Sequence, residues 1–237
     1  MLILALDTSS PSGSLAVLRD EKVIGVVSTA NREVYSSRMF RELDSLLAQL
    51  ALRMEHFDLF AVAAGPGSFT GLRLGLTAVK GWAEVYKRPI AAVGALEAVA
   101  VQASSEAQIV VPVLDARRGQ VYFGLYRRIS GGPAKGQLVL DGEEYVMTAA
   151  ELFASVCTRI ASVPFTIVTP APELLSASGV VAGAANNFAV ETASSVLAPF
   201  IGQLGLQRAH RGALVDALTL DANYVRRSDA EVHWKES

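Results

Sequence analysis

An α/β fold built from two related lobes is what this sequence predicts, on three observations. The first hundred residues alternate short apolar runs with segments of helical period. A thinner version of the same alternation follows a polar stretch at 102–108. Of the 237 residues, 51% are hydrophobic and 19% charged, which supplies a thick core and leaves too little charge for a disordered chain.

Taken in order, Leu2–Leu6, Ser14–Leu18 and Val23–Val27 are short apolar runs separated by turn-forming residues, which predicts an antiparallel meander. From Ser36 to Leu52 the period becomes helical, with Met39, Phe40, Leu43, Leu46, Leu47 and Leu50 apolar and a serine to cap the start. Leu59–Ala64 reads as a buried strand, Gly71–Tyr86 as a helix, Ile90–Val93 as a parallel strand and Ala95–Gln102 as a short helix. The order β-β-β-α-β-α-β-α is the ribonuclease-H-like plan on which actin-like ATPases (the ASKHA fold) are built. The second lobe reads as a reduced, divergent copy. It has strands at Ile109–Leu114, Val121–Arg127 and Leu138–Leu140, a helix at Thr148–Ile160, a strand at Phe165–Val168 and a long helix near Phe188–Leu204. The expected division is 1–105 and 106–237, with a polar tail closing the second lobe.

Composition excludes several function classes. Mean hydropathy is +0.34, yet no run approaches the roughly 18 apolar residues of a membrane span. The opening residues lack the basic region of a signal peptide. The surplus apolar surface therefore predicts a partner-covered face. Cys157 is the only cysteine, which fits a reducing, cytoplasmic setting. His56, His210 and His233 are far apart, so no metal site and no metal cofactor is expected. The net charge of −2 gives no general attraction for nucleic acid.

Two turns are candidate phosphate or cleft elements. Asp7-Thr8-Ser9 closes the first strand, where backbone N–H groups and hydroxyls suit an anion. An aspartate that merely organises its turn reads the same way. Gly65-Pro66-Gly67-Ser68-Phe69-Thr70-Gly71-Leu72-Arg73 joins a strand to a helix, where glycines permit tight turns and helix N–H groups can hold a phosphate. It matches neither the P-loop, nor the dinucleotide fingerprint, nor the nucleophile elbow, and no histidine near Ser68 offers a base, so it reads as a shaped turn. Asp115, after the first strand of the second lobe, holds the position that Asp7 holds in the first. No residue is assigned as catalytic.

Two helical faces are candidate partner surfaces. Gly71, Gly75 and Ala78 recur on one face. Each interior glycine costs about 1 kcal/mol relative to alanine, so a close backbone approach is expected, either from this chain's own sheet or from a helix of another chain. The 36–52 helix has an apolar face wider than one sheet contact requires. Its Arg38, Arg41, Glu42, Asp44 and Arg53 speak against full burial. Met39, Leu43, Leu46 and Leu50 are therefore candidates to meet a partner, together with Tyr35, Leu72 and the glycine face.

Ile3-Leu4-Ala5-Leu6-Asp7-Thr8-Ser9, the glycine-rich segment through Gly75, Leu96-Glu97-Ala98-Val99-Ala100, Asp115-Ala116-Arg117 and Tyr224-Val225-Arg226-Arg227 together resemble the bacterial TsaB (YeaZ-like) family of the M22-like superfamily. The match is dense to about residue 122 and thin afterwards. The resemblance implies an actin-like fold shared with a larger paralogue, TsaD, which transfers a threonylcarbamoyl group to N6 of adenosine 37 in tRNAs reading ANN codons. It further implies a non-catalytic subunit that pairs with TsaD through its first two helices. The TsaE ATPase joins that assembly, tRNA is met only through the complex, and self-pairing is possible for the chain alone. TsaD carries a metal-binding H-x-x-x-H where this chain has Ala95 and Val99. Family members usually place His-Ser where Tyr35-Ser36 stands here. The competing expectation is an independent actin-like ATPase or kinase, or an M22-like glycoprotease.

Overall fold

The computed structural model describes residues 1–10, 13–28, 35–131, 136–160, 163–176 and 188–226, apart from the side chains of 35–37 and 176. In chain order the elements are β1 (Leu2–Asp7), β2 (Ser14–Arg19), β3 (Lys22–Val27), α1 (Tyr35–Gln49), β4 (Leu59–Gly65), α2 (Phe69–Tyr86), β5 (Ile90–Gly94) and α3 (Ala95–Ala100). They continue as β6 (Ile109–Arg117), β7 (Gln120–Phe123), β8 (Tyr126–Arg128), β9 (Leu138–Leu140), β10 (Tyr145–Thr148), α4 (Ala149–Ile160), β11 (Phe165–Thr169), α5 (Glu173–Ser176), β12 (Phe188–Thr192) and α6 (Ala198–His210). Among the described residues no helix is long and apolar enough to cross a membrane.

The chain forms two compact units, Met1–Ala95 with Val196–Ser237, and Leu96–Ser195. This differs from the expected boundary at 105/106, because the last described helix returns to the first sheet. That sheet runs β3-β2-β1-β4-β5, with β1, β2 and β3 antiparallel and β1, β4 and β5 parallel. All seven residues of β4 are buried, as a parallel strand covered on both faces requires. Leu4, Leu6, Leu15, Val17, Phe60 and Val62 pack with Met39, Leu43, Leu46 and Leu47 of α1 and with Leu76, Val79 and Ala83 of α2. α6 packs on β1, β2, β4 and β5. Its Gly205 lies so close to the other face of the sheet that a β-carbon there would stand 2.8 Å from that of Ala61.

The second sheet runs β10-β7-β6-β11-β12. β6, β7 and β10 are antiparallel and β6, β11 and β12 parallel, so order and direction repeat those of the first unit. The ribonuclease-H-like plan is therefore present twice, with the β8–β9 pair added along β6. Thr148 and Glu151 start α4 with a reciprocal cap: the Thr148 amide donates to Glu151 Oε2 at 2.8 Å and the Glu151 amide to Thr148 Oγ1 at 3.3 Å.

Two sequence expectations change. The strand expected over Val121–Arg127 is broken at Gly124 and Leu125, although both halves pair along β6. The long helix expected near Phe188–Leu204 is instead β12 followed by α6. The Phe188 ring stacks on that of Phe165 at 5.2 Å between centroids, so this apolar run completes a sheet. Pro199, in the first turn of α6, lacks the N–H that a helix interior needs and suits a helix start.

Candidate functional site

Asp7 ends β1, and its carboxylate turns into its own loop. Oδ1 accepts from the Ser9 amide at 2.8 Å and the Ser9 hydroxyl at 2.6 Å, and Oδ2 from the Ser10 hydroxyl at 3.4 Å. The side chain is fully buried. Burial pushes the carboxyl above the ordinary aspartate range, against the pull of the Ser9 and Ser10 hydrogen bonds. These contacts give Asp7 the turn-organising role.

The glycine-rich segment is packed on this loop. The Ser68 amide donates to the Ser9 carbonyl at 2.7 Å. The Ser68 hydroxyl caps α2 by accepting from the Gly71 amide at 3.3 Å, so it is engaged as a cap. A β-carbon on Gly67 would strike Ser9, and one on Gly71 or Gly75 would strike Thr8. Gly65 has φ +121° and lies under the main chain of Asn223, whose amide donates to the Ala64 carbonyl at 2.7 Å. The close approach that the glycines allow is thus to this chain's own loop, which corrects the partner assignment of Gly71 and Gly75. The Thr8 hydroxyl is buried without a hydrogen-bond partner among the described residues.

Tyr224 completes the cluster. Its ring lies 5.1 Å from that of Phe69, the Arg73 guanidinium stands 3.8 Å over the Phe69 ring, and Arg73 Nε donates to Tyr224 Oη at 3.4 Å. Asp7, Thr8, Ser9, Gly65, Gly67, Ser68, Gly71 and Tyr224 are therefore brought together within one unit, although they are far apart in sequence. Asp115 belongs to the other unit. It is exposed, and its Oδ1 accepts from the Arg117 amide at 2.6 Å in a turn where Arg117, Arg118 and Gly119 all have positive φ. Arg227 lies outside the described residues, as does the Tyr35 side chain.

The candidate partner face also changes. Met39, Leu43, Leu46 and Leu72 are buried in this chain's own core, and Leu50 is half-buried against β3, where Gly25 leaves it room. None of the first four is offered to a partner. Arg38 is only 2% exposed and pairs with Glu42, Nε to Oε1 at 3.3 Å, so that charge did not keep its helix face wet. Arg41, Asp44 and Arg53 are exposed as expected. The apolar groups left at the surface are different ones. Phe40 is 49% exposed and meets Trp82 edge-on at 6.5 Å, and Val85 is 72% exposed. Among the described residues, nothing lies within 4 Å of where a β-carbon on Gly81 would stand. Leu74 and Ala78 are half-buried, and Leu74, Ala78, Gly81 and Val85 recur along α2 at spacings of 4, 3 and 4, one side of a helix. Sequence reasoning missed Gly81, Trp82 and Val85. The available signal was a glycine in a helix interior off the Gly71–Gly75 face.

The family model described as TsaD, tRNA N6-adenosine threonylcarbamoyltransferase, matches residues 17–202. The TsaB tRNA threonylcarbamoyladenosine biosynthesis protein of Bacillus subtilis is 39% identical over 131 residues, which cover 55% of this chain and 57% of that protein. The Escherichia coli protein of the same description is 31% identical over 139 residues, 58% of this chain and 60% of that one. The match thus spans little more than half the length of these curated relatives. Among solved structures, YeaZ from Pseudomonas aeruginosa is 25% identical with a TM-score of 0.73 over 94% of this chain and 99% of that one. A polyphosphate/ATP-glucomannokinase from Arthrobacter, 12% identical with a TM-score of 0.54 over 89% and 99% of the two chains, shares the fold alone.

Proposed function

We infer the function from family: this chain belongs to the TsaD-type tRNA N6-adenosine threonylcarbamoyltransferase family, in its TsaB (YeaZ) branch, and acts there as a non-catalytic partner of the TsaD enzyme. The complex it serves modifies N6 of adenosine 37 in tRNAs reading ANN codons. It works in the cytoplasm, a TsaE-type ATPase joins the assembly, and tRNA is held by the other subunits.

The outer side of α2 carries this reading. Leu74, Ala78, Gly81 and Val85 line it, flanked by Phe40 and Trp82, and Gly81 costs helix stability without any neighbour among the described residues that needs the space. A second helix laid along the stripe accounts for that glycine and for the exposed Val85 together. Two further features support a supporting subunit over an independent enzyme. The Asp7 carboxylate is engaged by its own loop, and the glycine-rich turn packs on Thr8 and Ser9 of that loop and under Asn223. Ala95 and Val99, which stand where the TsaD metal ligands would align, are buried apolar residues. With no enzyme present, the same stripe pairs two copies of the chain.

The test is threonylcarbamoyl-adenosine formation on a cognate tRNA in a reconstituted bacterial system. Product is expected only when the chain is present, and Val85→Glu with Phe40→Glu should abolish the gain while the chain stays folded. Full activity without the chain would overturn the assignment. Saturable ATP binding by the isolated chain would instead favour an independent nucleotide-binding enzyme.

A further inference from the structure

Beyond α6 the chain runs back along its first unit. Val215 exchanges both main-chain hydrogen bonds with Ile90 of β5, each 2.9 Å, and Leu220 is buried in the core. Past Leu220, Ala222 is half-buried against the core, and Asn223 and Tyr224 are exposed. Asn223 closes over the end of β4, and Tyr224 over the first turn of α2. The Asn223 amide holds the Ala64 carbonyl, its own carbonyl fills the space over Gly65, and Tyr224 lies on Phe69 and accepts from Arg73.

We propose that Asn223 and Tyr224 form a latch that opens while Leu220, Ala222 and the rest of the unit stay packed, and that its closed state fixes the first turns of α2. Leu220 anchors the segment independently of the grip, so releasing Tyr224 need not disturb the core. α2 is one continuous helix from Phe69 to Tyr86. The position of its first turns therefore sets the position of Leu74 and Ala78, and the latch tunes the face offered to a partner. This last step rests on the pairing reading above.

The test follows amide hydrogen exchange by NMR on the full chain, as wild type, Tyr224→Ala and Tyr224→Phe, beside affinity for the TsaD-type paralogue. In the wild type the Asn223 amide should be at least about tenfold less protected than Phe60 in β4 and Ile201 in α6, and Tyr224→Ala should speed its exchange by about tenfold or more. Tyr224→Phe keeps the ring but not the hydroxyl acceptor and should fall between. Affinity for the paralogue should drop roughly three- to tenfold, with the unfolding midpoint lowered by no more than the few degrees that a tenfold change implies. Unaltered exchange at Asn223 overturns the latch. So does wild-type protection at Asn223 equal to that at Phe60 and Ile201, because the segment would then open only with the whole unit and Tyr224 would be an ordinary stabilising contact. Faster local exchange with unchanged affinity overturns the link to pairing and leaves pairing itself standing. If the wild-type chain does not bind the paralogue, the pairing reading falls and takes that link with it, while the exchange results alone decide the latch.

Discussion

Replacing Gly81 should separate the two roles a helical glycine can have. Gly81 lies inside α2, on its exposed side, with open space where a β-carbon would go. Gly81→Ala therefore meets no steric opposition from the described residues and removes the backbone-entropy cost of glycine, about 1 kcal/mol in a helix interior. For a chain of this length that corresponds to a rise of roughly 2–4 °C in the unfolding midpoint. Gly81→Leu should match it in the isolated chain. In the complex, the leucine would stand where a partner helix approaches. Overpacking of about 1–3 kcal/mol would then weaken pairing roughly 5- to 150-fold. Thermal unfolding of the isolated chain and calorimetric titration against the TsaD-type partner read the two effects separately. Pairing by Gly81→Leu at wild-type strength would refute the reasoning, as would a fall in stability for Gly81→Ala.

Other substitutions test the remaining assignments. Gly75→Ala, on the same helix, should destabilise the chain by about 1–3 kcal/mol because its β-carbon meets Thr8; equilibrium denaturation alongside Gly81→Ala should show opposite signs. Leu46→Glu should unfold the first unit before it tests any interface, since Leu46 is buried against the sheet; even Leu46→Ala should cost about 2–5 kcal/mol, visible as a lower denaturation midpoint. Asp7 gives a pH signature. Its folded-state carboxyl titrates above the unfolded one, so its contribution is fully present below the unfolded aspartate value and is lost as pH rises through the folded value. The stability of Asp7→Asn relative to wild type should therefore climb from about pH 4 upward, and a difference that is flat across that range would contradict the buried, raised carboxyl.

The first unit was largely legible in the sequence because its signals are local. Apolar runs of strand length, short turns and two strong helical periods fix β1 to β5 with α1 and α2 between them. Which neighbour covers an apolar residue is not a local property. The period of α1 identified Met39, Leu43 and Leu46 as one stripe, but the sheet takes that stripe, and the residues left outside are Phe40 with Trp82 and Val85 of the next helix. Arg38 misled for a related reason: an i,i+4 pairing with Glu42 let a cation enter a buried face that its charge argued against. The glycine-rich turn was read correctly as a shaped turn, but its neighbours Thr8, Ser9 and Asn223 come from opposite ends of the chain. At Phe188 a short apolar run satisfied both strand and helix templates, and Pro199 was the overlooked marker of where the helix begins.

The return of α6 to the first sheet has a consequence for synthesis. The chain leaves the first unit at Ala95 and comes back at Val196. Strands β1 to β5 thus emerge from the ribosome well before the helix that covers one of their faces. At about 5–20 residues per second, the roughly 100 intervening residues take on the order of 5–20 s to make. During that interval Leu18, Ala61 and Ala91, which the glycines of α6 later cover, have no native lid. The intervening unit, whose sheet draws only on residues between Leu96 and Ser195, can close first. The nascent chain is then expected to complete its second unit before its first, and to depend most on chaperones just before residue 198 appears.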